Sequence, residues 1–142
     1  MRNTKHATTN FRMIYPFIAT VNKTDDMHAR FESSGYMPLS IEYLGYNDHL
    51  GRPVYTMMHF GVQNGDLMRD PDMEFSVDFA HGTIHPRSYR NDYVGVFHEV
   101  YMTDSDGSLL YSPKLLTELD QFLWTWLKNI GDQGFDPFRY SC

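Results

Sequence analysis

The chain has 142 residues, 42% apolar and 15% aromatic, and a formal net charge of −6 from 12 Lys+Arg and 18 Asp+Glu. A domain of this length buries roughly two thirds of its unfolded surface, and the aromatic share excludes disorder, so the core needs neither disulfide nor metal. The acidic balance disfavours direct nucleic-acid binding and suits a basic protein partner, and one cysteine, Cys142, excludes an internal disulfide framework or a thiolate metal cluster.

No apolar run reaches the roughly 20 residues of a membrane-spanning helix. Arg2 and Lys5 are not followed by an apolar stretch, which predicts no signal peptide. Both observations predict a cytoplasmic location.

Residues 1–10 are polar and aperiodic and are predicted to be a flexible tail. Residues 11–142 are predicted to form one domain. In residues 11–21, Met13, Ile14, Phe17, Ile18 and Val21 fall at helical spacing. Pro16 opposes an unbroken helix, so the expectation is a start near Tyr15, with Pro16 in the first turn. Residues 27–33 read as a short edge strand. Residues 38–46 and 53–62 alternate and read as a hairpin around the loop Asn47–Arg52.

Next comes the densest turn-and-carboxylate run of the chain, Asn64-Gly65-Asp66-Leu67-Met68-Arg69-Asp70-Pro71-Asp72-Met73-Glu74-Phe75. Asn64-Gly65 tolerates positive φ and predicts a turn, and Asp66 can close the loop through its side chain. From Asp72 the pattern alternates. Met73, Phe75, Val77 and Phe79 share one face, and Asp70, Asp72 and Glu74 project from the other. The plain reading is a solvated sheet face; the sharper one is an acidic patch for a cation or a basic partner.

Residues 80–91 look irregular, with Gly82 and Pro86. Residues 92–102 carry the strongest strand signal, with Val94, Val96, His98 and Val100 on one face, where His98 reads as a core histidine. Asp104-Ser105-Asp106-Gly107 reads as a turn. Ser112 as N-cap, Pro113 behind it and Gly131 as a stop frame the best helix. Its stripe is Leu115, Leu116, Leu119, Phe122, Leu123, Trp126, Leu127 and Ile130. Phe135 and Phe138 are expected to pack back onto the core. The order predicts an α+β fold: a mostly antiparallel sheet of four to five strands, covered by this C-terminal amphipathic helix and a short N-terminal one.

Chemistry-bearing motifs are sparse. His81 and His85 have a His-x-x-x-His spacing, which suits a metal on a helix, but Gly82 and Pro86 oppose a helix there. Asp104-Ser105-Asp106-Gly107 lacks the later glutamate of a calcium loop. There is no Gly-x-Ser-x-Gly elbow or glycine-rich phosphate loop. No cofactor and no catalytic residue is expected. If their strands pair, Asp70, Asp72, Glu74 and Glu99 would form the best carboxylate set for a divalent ion. The tyrosines, Tyr93 and Tyr101 among them, cannot all be core. Tyrosines beside acids suit interfaces, while ten tyrosines also suit strands. The candidate binding surface is therefore Asn64, Asp66, Arg69, Asp70, Asp72, Glu74, Tyr93, Glu99 and Tyr101.

The run from Asn64 to Phe75, together with Gly35-Tyr36-Met37, Ile41-Glu42-Tyr43, Asn91 to Glu99 and Gln133-Gly134-Phe135, resembles an uncharacterised family of small bacterial proteins carried on plasmids, integrative elements and phages. The resemblance covers roughly residues 31–135 and leaves residues 1–26 outside the pattern. It implies a cytoplasmic accessory protein and assigns no catalytic residue. With the acidic charge and the surplus tyrosines, it points to a protein-binding or inhibitory role against a host or element-encoded protein, counter-defence of an anti-CRISPR-like kind included. The alternative is a divalent-metal-dependent enzyme using the carboxylate set.

Overall fold

The computed structural model describes residues 3–142. In chain order the elements are α1 (Ala7–Val21), β1 (His28–Phe31), β2 (Leu39–Asn47), β3 (Pro53–Gln63), β4 (Asp66–Asp78), β5 (Thr83–Asn91), β6 (Val96–Glu99), β7 (Tyr101–Thr103), β8 (Leu109–Tyr111), α2 (Pro113–Asp132) and β9 (Tyr140–Ser141). Seven strands form one sheet in the order β6-β5-β4-β3-β2-β1-β9, and β7-β8 form a separate pair. Every pairing is antiparallel. The α+β class stands, with a sheet of seven strands rather than four to five.

The extra strands have identifiable causes. Proline removes a ladder donor and is tolerated at bulges. Pro86 sits opposite Phe75 beside the register shift at Glu74/Phe75, so residues 83–91 form a regular strand despite it. Residues 92–102 do the reverse and do not form one strand. Gly95 takes φ +67° in the turn between β5 and β6. At Val100 the chain leaves the sheet, since its N–H donates to Arg87 and its carbonyl accepts from Ser112 N–H. Val94 and His98 are consequently exposed, so His98 is no core histidine.

The helix α1 begins at Ala7, not near Tyr15, so residues 7–10 are helical rather than tail. Pro16 lies inside it but on the exposed side, while Ile14, Phe17, Ile18 and Val21 are buried. An interior proline costs about 3 kcal/mol; burying four large side chains, each contributing about 1.5–3 kcal/mol, outweighs that. Residues 1 and 2 of the expected tail lie outside the described residues.

Both helices and the inward side chains of the central strands share one core: Ile18, Phe31, Ile41, Met57, Met73, Phe75, Ile84, Leu123 and Trp126 among others. Ser112 Oγ accepts from Leu115 N–H and caps α2. Phe135 packs into the core, while Phe138 is left exposed. Both helices pack in this one core, and among the described residues no helix lies on the opposite sheet face. At one end of that face the β2–β3 loop meets the β7–β8 hairpin, with the His49 ring 5.3 Å from that of Tyr101.

Candidate functional site

That uncovered face holds a polar cleft lined by Tyr46, Glu74, Arg87, Ser88, Glu99 and Tyr101. Ser88 pairs with Glu74 on one side and Glu99 on the other, so three adjacent strands supply the floor. Arg87 is the extra residue of the β5 bulge, which brings it to this face beside Ser88. β2 has a register shift between Tyr43 and Asn47, with Gly45 at φ +82°. There Tyr46 crosses the sheet, and its hydroxyl donates to Glu74 Oε1 at 2.9 Å. Burial, then the Glu74 bond, raises the Tyr46 pKa. The Arg87 guanidinium lies 4.8 Å from the Tyr101 ring centroid.

Behind the cleft stands Asp48. Its Oδ1 accepts from the Leu50 and Arg52 N–H groups, both at 2.9 Å, and its Oδ2 from Arg52 Nε at 2.8 Å. Burial pushes its pKa up, but the Arg52 N–H, a Ser76 contact, the Arg52 side chain and the Leu50 N–H outweigh it and hold the carboxyl at about 2.

Of the nine residues expected to form one surface, eight fall in three places and Asp70 lies apart from them. Asn64 and Asp66 are at the exposed tip of the β3–β4 hairpin, where Asn64 and Gly65 take φ +54° and +84° as expected. Arg69, Asp72 and Tyr93 lie along the middle. Arg69 Nε donates to Asp92 Oδ2 at 2.8 Å, which together with the Arg69 N–H bond holds the Asp92 carboxyl below its usual range. Asp72 accepts from Thr56 Oγ1, yet burial raises its pKa. Tyr93 lays its hydroxyl against Gly61, where a Cβ would stand 2.6 Å from it. Glu74, Glu99 and Tyr101 meet in the cleft.

Asp70 departs from the expected alignment with Asp72 and Glu74. The register shift between Met58 and Phe60 inserts a residue into β4, and a one-residue shift exchanges sheet faces. Asp70 instead accepts from Asn91 Nδ2 at 2.6 Å. The four carboxylates therefore do not converge, and no group of three metal-ligating side chains occurs among the described residues. His81 and His85 do not form a helical pair either. His81 Nδ1 lies 2.9 Å from Asp78 Oδ2 in a turn, and His85 is buried on β5 with Nε2 2.9 Å from Thr83 Oγ1.

Residues 10–136 match the family described as domain of unknown function DUF6908. The chain belongs to that family. No curated protein and no solved structure matches it. The DUF6908 match extends further towards the N-terminus than the resemblance read from the motifs, and includes most of α1. It thus spans every strand of the cleft. No helix among the described residues is long and apolar enough to cross a membrane.

Reading motifs missed Asp48, Arg87 and Ser88, and counted Tyr46 among the surplus tyrosines without placing it in the candidate surface. Asn47-Asp48 before Leu50-Gly51 is turn chemistry, and a turn aspartate that gathers N–H groups was a legible signal. Arg87 and Ser88 gave none, because their exposure depends on the bulge and on β6 pairing beside them.

Proposed function

We propose that this protein works by binding another protein on its uncovered sheet face, as an inhibitory accessory protein of a mobile element or phage acting in the host cytoplasm. The supporting observation is the β7–β8 hairpin beside the cleft. Met102, Leu109, Leu110 and Tyr111 are 59%, 47%, 49% and 46% exposed, and all sit on two three-residue strands. An isolated two-stranded hairpin is marginal in water. Met102 and Leu110 stand opposite each other across the hairpin and share one face, with Leu109 and Tyr111 on the other, and exposed large apolar side chains so placed support an interaction surface. Glu74, Glu99 and Tyr46 next to them supply the polar, tyrosine-bearing rim of such surfaces. The net charge of −6 favours a basic partner. The mobile-element setting, and counter-defence of an anti-CRISPR-like kind, rest on the motif resemblance.

The test compares the wild-type chain with Met102→Ser/Leu110→Ser as bait for host proteins. Both positions are exposed, so folding stability should change by less than about 0.5 kcal/mol per site. A stoichiometric partner that wild type retains and the double variant loses is the expected result. Equal capture by both, or no stoichiometric partner across several hosts, would overturn the reading.

A further inference from the structure

At the end of the sheet away from the Asn64-Gly65 turn, the β2–β3 loop and the β4–β5 turn border a cavity of about 290 Å³. It adjoins a second of about 420 Å³, and Leu50, Arg52, Asp78 and His81 line both. Small-molecule sites span about 300–1,000 Å³ and combine an apolar wall with a few placed polar groups. The two hollows divide in that way. The polar one is set by Arg52, whose Nε donates to Asp48 Oδ2 at 2.8 Å. Its Nη1 and Nη2 make no hydrogen bond among the described residues, and neither is among the donors sealed from solvent. The guanidinium is thus pinned on one side and open on the other. His85 lines the same hollow, with Nε2 2.9 Å from Thr83 Oγ1 and with Nδ1 likewise unpaired and unsealed. Burial and the Arg52 cation keep this ring neutral at pH 7. A neutral ring whose Nε2 accepts from the Thr83 hydroxyl donates through Nδ1.

Donors open to the cavity call for an acceptor, and the charges around them call for an anion. The buried Asp48 faces two guanidiniums, Arg52 at 2.8 Å and Arg87 at 4.0 Å, and one carboxylate does not neutralise both. Asp78 is the one carboxylate on the lining among the described residues. Both its oxygens are engaged within its own turn, Oδ1 by His81 N–H at 3.0 Å and Oδ2 by His81 Nδ1 at 2.9 Å. The adjoining hollow is walled by Pro53, Val77, Phe79 and Ala80, with Leu50 at its mouth. Leu50 and Phe79 are 60% and 42% exposed, so this wall has apolar surface to cover. We propose that the cavity binds a carboxylate carried on a short apolar group, the chemistry shared by a small free acid and the carboxyl end of a polypeptide. The carboxylate accepts from the Nη edge of Arg52, whose fork matches it, and from His85 Nδ1. The apolar group lies against Leu50, Pro53 and Phe79. This site goes beyond the protein-binding reading and does not rest on it.

The full chain, labelled with ¹⁵N, is titrated with isocaproate, with isocaproamide, with inorganic phosphate and with N-acetylglycyl-leucine, following the Arg52 side-chain Nε–H and the Thr83 amide signals. Saturable shifts with isocaproate are expected. Replacing the acid by its amide should weaken binding about tenfold or more. Arg52→Lys keeps a cation on Asp48 but loses the planar fork, and should weaken it to the same degree. Should that variant fail to fold, the comparison of acid with amide on the wild-type chain and the loop-surface variant Leu50→Ser decide. Leu50→Ser should weaken isocaproate severalfold, and Glu118→Gln, on the exposed side of α2, should not. N-acetylglycyl-leucine binding more tightly than isocaproate would support the same chemistry with a polypeptide end as its source. Equal binding of the amide, phosphate binding as tightly as isocaproate, insensitivity to Leu50→Ser, or no saturable shift would overturn the assignment. Its failure leaves the hairpin reading untouched, since capture through Met102 and Leu110 is measured separately.

Discussion

At the scale of single residues, buried polar groups set how stability depends on pH. Burial, and then the nearby Arg52 cation, push the His85 pKa from the ordinary 6.5 to about 4. The unfolded chain therefore takes up a proton below pH 6.5 that the folded chain refuses. The stability this confers is complete above pH 6.5 and is lost as the pH falls towards 4. The difference of about 2.5 units corresponds to about 3 kcal/mol, of which about 2 kcal/mol is gone by pH 5. Asp48 acts with the same sign lower down, losing its contribution between its ordinary 3.8 and about 2. Asp72, raised by burial, opposes both: the folded state holds its proton more tightly, so it subtracts stability as the pH rises above 3.8. Urea midpoints at pH 7 and pH 5 check this. His85→Gln should reduce the difference between them, with the remainder carried by His59, whose pKa burial also holds below 6.5; an unchanged difference would place the titrating group elsewhere.

At the scale of elements, α2 is built from locally consistent signals. Ser112 caps it, Pro113 opens it, and Leu116, Leu119, Leu123, Trp126, Leu127 and Ile130 are all buried. Leu123 is fully buried, so Leu123→Ala should cost about 2–5 kcal/mol. Glu118 is exposed, and Glu118→Ala should stay within about 0.5 kcal/mol. Equal urea midpoints for the two variants would mean that the stripe is not the core face. The strands behaved differently. Residues 83–91 pair along β4 although Pro86 obscures their pattern, and the apolar residues 92–102 break at Gly95 and Val100. In both cases pairing partners outweigh local propensity, because strand stability lies in cross-strand contacts rather than in the single strand.

At the scale of the whole molecule, Asp120 joins the two ends of the chain on the helix side. Its carboxylate accepts from Thr4 Oγ1 at 2.5 Å and from His6 N–H at 3.0 Å, and its carbonyl accepts from Asn10 Nδ2 at 3.3 Å. These contacts order the residues before α1 and dock that helix beside α2. Asp120→Ala leaves the buried His6 N–H without its acceptor and should cost about 1–3 kcal/mol. Hydrogen exchange should show the first turn of α1 losing protection before the sheet does. Unchanged protection there would show that apolar packing alone holds α1. On the far side no helix among the described residues covers the sheet, and the cleft and the hairpin lie on that face.

The sequence by itself determined the α+β class, the helix from Pro113 with its buried stripe, the turn at Asn64-Gly65 and the pairing of β2 with β3. Each depends on neighbours within a few residues, so periodicity, caps and turn chemistry report it directly. Glu74, Glu99 and Tyr101 were legible as candidates in the sequence, but only the tertiary structure decided which residues they meet. Tyr46, Glu74, Arg87, Ser88, Glu99 and Tyr101 come from five different strands, and their meeting depends on register shifts in β2 and β5. The shift in β4 likewise removed Asp70 from the carboxylates it was expected to join. Strand side chains alternate with period 2, so a single inserted residue moves a group to the opposite face. Where a bulge falls is set by long-range pairing that no local stretch of sequence contains.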